Sequence, residues 1–146
     1  MNEYQEMRIR HQNEWNGFPL GFAFDDSQFE KMMANWGLNA KKKEDLAKIE
    51  ELCAGAYIRK SDVESLKLLN KRHGEELSEK ISSDKTGTGF IRQMFDYELR
   101  NHEFGYTGEY EDTLDALGYT WKDIEADKRL KNGLTLAARK IMKEEI

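Results

Sequence analysis

Residues 90–118 read FIRQMFDYELRNHEFGYTGEYEDTLDALG, and the fold follows from how this stretch divides. Phe90, Ile91, Met94, Phe95 and Leu99 recur at helical spacing, so a helix is expected over Phe90–Phe104. Gly105-Tyr106-Thr107-Gly108 then reads as a helix-to-helix turn with glycines at positive φ. A short acidic helix is expected over Glu109–Leu117, stopped by Gly118.

Working outward from this stretch gives further helices. Thr120 is an N-cap for a turn over Trp121–Ala126, and a last helix runs from Lys128 to Glu144 with Leu130, Leu134, Ala137, Ala138 and Ile141 inward. Upstream, Ser82–Gly89 is the strongest loop and is expected to be mobile. Ser61-Asp62 caps a helix reaching about Ser78. Asn2–Trp15 forms a first helix, and Asp25-Asp26-Ser27 opens another that ends at Gly37. Leu20–Phe24 and Gly55–Lys60 read as strands. Within Asn39–Leu52 the Lys41-Lys42-Lys43 run reads as solvated, and Leu46, Ile49 and Leu52 line a short helix. The expected architecture is α+β: a mostly helical single domain, 1–146, with a small two-stranded antiparallel sheet.

At 146 residues the chain has the size of one domain. Charged residues make up 35% and hydrophobic residues 38%, which implies a modest core. The 3 Trp, 6 Tyr and 7 Phe offset this, because each aromatic ring buries a large area. A net charge of −5 argues against direct nucleic-acid binding, which needs a basic footprint. One cysteine, Cys53, excludes an internal disulfide and suits a reducing compartment. No segment has the length of a membrane span and the N-terminus has no apolar signal region, so a cytoplasmic protein is expected. Homodimer formation would help a core of this size.

Charge is unevenly distributed. Between Asp96 and Asp127 lie ten acidic residues and two basic ones, Arg100 and Lys122. The aromatics Tyr97, Phe104, Tyr106, Tyr110, Tyr119 and Trp121 are interleaved with them. Such a block reads either as a solvated rim or as a docking surface for a basic protein. In the second reading Tyr97, Glu98, His102, Glu103, Tyr106, Glu109, Glu111 and Asp112 form or support the contact.

Glu98 and His102 are four residues apart on a helix and share a face. That spacing suits one zinc ion, with Glu103, Glu109, Asp112 or Cys53 completing the set. It suits equally a local hydrogen bond between the two side chains. HExxH is absent, and no cofactor is called for. The turn at 105–108 lacks basic neighbours for phosphate, and Thr86-Gly87-Thr88-Gly89 lacks the Walker spacing. Cys53 is expected to be a buried structural thiol and His11 a surface residue.

The segments FAFDDSQFEKM (22–32), GAYIRKSD (55–62), MFDYELRNHEFGYTG (94–108) and DTLDALGYTWKDIEADKRLKNGL (112–134) carry a resemblance. Together they resemble a family of small proteins encoded by bacteriophages and other mobile elements of Firmicutes. The Y-E-L-x-N-H-E-aromatic core at 97–104 is the most specific part. Leu52-Cys53-Ala54-Gly55 departs from the pattern, which has more glycines, and so does the charge over Lys41–Glu51. The resemblance implies a context in which small acidic proteins antagonise host defence. The function it implies is binding and inhibition of a host protein, most specifically as an anti-CRISPR acting on a Cas9-type nuclease, whose nucleic-acid channel is basic. The alternatives are a zinc-stabilised binding protein and a small metal-dependent hydrolase using the Glu98/His102 region.

Overall fold

The computed structural model describes residues 1–144. These are mostly helical, with one small antiparallel sheet, so the chain is α+β. They cluster into two compact units: residues 14–74, and residues 1–13 together with the chain from Glu75 onward.

The unit of residues 14–74 holds the sheet. Its strands are β1 (Gly21–Phe22), β2 (Ile49–Cys53) and β3 (Ala56–Arg59), in the order β1-β3-β2. The sheet therefore has three strands where two are expected. The unexpected strand is β2, whose apolar positions Ile49 and Leu52 continue, with the preceding Leu46, a helical period. Only Lys43–Leu46 is helical there (α3). A two-residue turn at Ala54-Gly55, with Gly55 at φ +82°, folds β2 back onto β3. In this register Ile49 faces the α2 side, while Glu50 and Glu51 occupy the edge strand, where charge discourages further strand pairing. Cys53 at the end of β2 is exposed rather than buried.

Helix α2 (Asp26–Asn35) starts where Asp25 accepts the Gln28 amide at 2.7 Å, and Gln28 returns a bond from the Phe24 amide at 2.8 Å. Its Met32 and Met33 pack with Ala23, Phe29, Trp36, Ile49 and Tyr57 into this unit's core. A Cβ on Gly21 would lie 2.5 Å from the Met32 sulfur, so α2 lies directly against β1. Helix α1 (Glu3–Asn16) and helix α4 (Val63–Ser83) each supply residues to both units. Within this one, Glu14 accepts from Arg72 at 2.6 Å and lies 3.4 Å from the His73 ring.

The larger core belongs to the other unit. It is built on α5 (Phe90–Asn101) and α9 (Lys128–Glu144), with α6 (Phe104–Thr107), α7 (Glu111–Leu117) and α8 (Trp121–Ala126) around them. Phe95, Ile91, Met94, Leu99, Ala137 and Ile141 are fully buried, joined from α1 by Tyr4 and Met7. Close approach of the two main helices rests on two glycines. A Cβ on Gly133 would meet the Gly87 carbonyl oxygen and Ile91 at 2.7 Å, and one on Gly87 would overlap the Arg129 carbonyl.

The loop before α5 is held rather than mobile. The Asp84 carboxylate accepts the amides of Thr86, Gly87, Gly89 and Ile91 at 2.9–3.3 Å. Arg129 Nη1 donates to the carbonyls of Ile81 and Asp84, and Asn132 Nδ2 donates to that of Thr86. Burial pushes the Asp84 carboxyl up, but the four amides outweigh it and hold it below the usual carboxylate range. These amides already have a carboxylate partner, so they are not offered to a phosphate. His11 is likewise not a free surface group, since its ring lies 2.6 Å from Glu76, which also takes two bonds from Arg10.

Candidate functional site

The acidic stretch separates into two groups once the chain is folded. Five of its ten carboxylates are committed to internal partners. Asp96 binds Arg100 along α5, Glu98 binds Tyr4, and Asp123 closes a capping box with Thr120. Glu125 pairs with Lys131 at 2.8 Å and Asp127 with Arg129 at 3.0 Å. The other five, Glu103, Glu109, Glu111, Asp112 and Asp115, are exposed and make no ion pair among the described residues. They lie between residues 103 and 115, the same stretch of chain as Tyr106, which is 92% exposed.

Local backbone geometry puts Tyr106 there. Helix α5 ends at Asn101, earlier than its apolar period suggests, because Glu103 takes the left-handed conformation (φ 62°). It is the one non-glycine residue at positive φ among the described residues. The reversal turns Phe104 inward, where it is buried and packs against Tyr110 with ring centres 4.7 Å apart and planes tilted by 49°. Tyr106, two residues on in a one-turn helix, then points to solvent. Gly108, at φ 69°, ends that turn, whereas Gly105 needs no positive φ. Glu111 and Asp112 sit in the first turn of α7, where the helix dipole favours negative charge.

The remaining expected residues form a second, inner layer. Glu98 is only 4% exposed. Tyr4 Oη donates to its Oε1 at 2.6 Å, and the Arg8 Nε lies 3.6 Å from the same oxygen. His102 Nε2 lies 3.7 Å from the other oxygen, so the i,i+4 pair of the sequence meets, though beyond hydrogen-bond length. Thr113 Oγ1 donates to the Glu98 backbone carbonyl at 3.3 Å, which joins α7 to α5. Tyr97 is half-buried, with its ring 5.6 Å from Tyr4 and the Arg8 guanidinium 6.0 Å from its centre. Burial, followed by the hydrogen bond to Glu98, pushes the Tyr4 phenol well above its ordinary value.

Glu98 and Tyr97 therefore support the acidic surface from beneath, while Glu103, Tyr106, Glu109, Glu111 and Asp112 form its outside. His102, half-buried at the end of α5, lies between the two layers. Sequence reasoning missed Tyr4 and Arg8. Tyr4 carries a weak signal in the Tyr4/Met7 spacing of α1; Arg8 carries none. As for zinc, Glu98 and His102 supply two donors, and no group of three or more His, Cys, Asp or Glu side chains converges among the described residues. No helix among them is long and apolar enough to cross a membrane.

Over residues 3–140 the sequence matches the family of unknown function DUF7659, and the chain belongs to that family. No curated protein and no solved structure matches it.

Proposed function

We propose that this member of the DUF7659 family works by binding another protein, through the acidic surface centred on Tyr106. The observation that carries this reading is the pairing of one almost fully exposed tyrosine with five exposed carboxylates that have no internal ion pair among the described residues. An amphipathic ring offered to water at a fixed position is the residue type that anchors interfaces. Unpaired carboxylates around it favour a basic partner and speed its encounter. Beneath it, Glu98, Tyr4 and Thr113 tie the supporting helices together, so the surface is rigid before binding and little ordering cost remains.

For the partner, the resemblance to proteins of bacteriophages and mobile elements favours a host defence protein. A Cas9-type nuclease is the specific proposal, because its nucleic-acid channel presents the complementary charge. The protein would act in the host cytoplasm as an inhibitor without catalysis. Zinc-stabilised and hydrolytic readings have less support. Glu98 already accepts from Tyr4 through one oxygen and lies 3.6 Å from the Arg8 cation, whose charge opposes a metal ion on the same carboxylate, and His102 faces the other oxygen.

The test is capture of purified Cas9-type nucleases and of basic host proteins on the immobilised chain, followed by binding kinetics on what is retained. Tyr106→Ala should weaken the complex by about tenfold or more. The triple reversal Glu109→Lys, Glu111→Lys, Asp112→Lys should slow association, and added salt should do the same. A partner that binds with the same kinetics under all three changes would defeat this reading.

A further inference from the structure

A second surface lies along α9, apart from the acidic one in chemistry. Tyr110, Trp121, Ile124 and Glu125 form one wall of a groove of about 470 Å³. The other wall is a single stripe of α9: Lys131, Leu134, Thr135, Ala138, Arg139, Met142 and Lys143. These positions follow the i, i+3, i+4, i+7 pattern over three turns, so the groove runs for roughly 18 Å of helix axis. Its floor is apolar. Trp121 and Met142 are 43% and 46% exposed, a large apolar area to leave facing water. Small side chains at Thr135 and Ala138 leave depth at its middle.

The rim has the opposite sign to the rest of the protein. Lys131 is neutralised by Glu125 at 2.8 Å. Arg139 and Lys143 are exposed and make no ion pair among the described residues. On a chain of net charge −5, an apolar groove edged by unpaired cations selects a partner that is apolar on one side and acidic on the other.

We propose that this groove binds an acidic amphipathic helix of a partner protein. The length of the groove sets the occupant at about three turns. Its apolar side chains at i, i+3 or i+4, and i+7 would fill the space between Trp121 and Met142, and its flanking carboxylates would meet Arg139 and Lys143. This proposal does not depend on the role of Tyr106 and stands or falls separately.

The probe is a fluorescein-labelled synthetic helix of roughly 18 residues, with leucine on one face and glutamate on the other, titrated with the full chain by anisotropy. The comparison peptide carries lysine in place of every glutamate. The acidic peptide should bind, and the basic one at least about tenfold more weakly. Arg139→Glu with Lys143→Glu, and separately Met142→Glu, should each weaken binding by about tenfold or more. All three positions are exposed, so folding should survive, as circular dichroism would check. Lys41→Glu with Lys42→Glu makes the same charge change on exposed residues of the other unit and should leave binding unchanged. Failure of the acidic peptide to bind, equal binding of the basic peptide, or equal loss in the Lys41/Lys42 variant would overturn the proposal. So would displacement of the peptide by self-association of the chain through Met142.

Discussion

The Tyr4 phenol donates a 2.6 Å hydrogen bond to the carboxylate of Glu98, joining side chains 94 residues apart in a buried setting. Through this bond α1 is attached to α5 directly below the acidic surface. Tyr4→Phe keeps the ring and leaves the carboxylate one donor short, so stability should fall by about 1–3 kcal/mol. The same bond sets an alkaline limit. The folded-state pKa of Tyr4 is raised above its ordinary 10.0, so its contribution is complete below pH 10 and is lost as the pH rises beyond it. Urea melts across that range should show a steeper loss in the native chain than in Tyr4→Phe. Tyr119, raised by burial and the nearby Asp127, leaves a residual slope in the variant.

At low pH the sensitive group is Glu76. The Arg10 hydrogen bonds, against a smaller opposing effect of burial and with help from His11, bring its carboxyl from an ordinary 4.5 to about 2. A lowered folded-state value gives stability that is present above pH 4.5 and is lost as the pH falls toward 2. Glu76→Gln should therefore cost stability at pH 7 and very little at pH 2, as read by thermal melts at the two values. Both partners are partly solvated, so the effect at pH 7 should be modest, on the order of 1 kcal/mol.

Gly133→Ala would be harmless on an exposed helix, where alanine is the better helix former. Here the added methyl meets the Gly87 carbonyl and Ile91 at 2.7 Å. Overpacking of this kind should cost about 1–3 kcal/mol in chemical denaturation, in spite of the gain in propensity. A stabilised variant would mean that α9 can shift away from α5 without loss.

Glu103→Gly should have the opposite sign. Glu103 holds φ 62° and is exposed, so glycine relieves a strain of roughly 1 kcal/mol, set against its greater freedom when unfolded. The expected result is a melting temperature equal to or above that of the native chain. A clear loss would show that the Glu103 side chain contributes more than its backbone strain costs.

Glu98 and His102 should be energetically coupled. Their facing atoms are 3.7 Å apart, and Glu98 is buried. A double-mutant cycle with Glu98→Gln and His102→Ala should give an interaction of about 0.5 kcal/mol or more. Strict additivity would mean that Tyr4 and Arg8 satisfy the carboxylate without help from the imidazole.

Local signals carried much of this structure. Helix starts at Asp25 and Thr120 were legible because the capping oxygen and its amide are three residues apart in the chain. The amphipathic faces of α5 and α9 were legible because a 3.6-residue period needs no knowledge of what lies opposite. Strand β2 was not. Leu46, Ile49 and Leu52 fit a helical period, and only pairing with β3 makes Ile49–Cys53 extended. Helix α5 ends at Asn101, three residues before its apolar period predicts, for a related reason: nothing in the Asn101–Glu103 triplet marks Glu103 as left-handed.

By itself the sequence determined the helical α+β class, most helix boundaries, and the ten-to-two excess of acid between Asp96 and Asp127. Each of these depends on neighbours within a few residues, or on a count. Tertiary structure decided which of those acids face solvent unpaired and which are already used. Glu98 became a buried acceptor because Tyr4, 94 residues away, packs onto α5. Glu103, Glu109, Glu111 and Asp112 stayed on the surface because Phe104 turned inward and Tyr106 outward. A carboxylate's role is set by its nearest donors in space, and for Glu98 that donor comes from the far end of the chain.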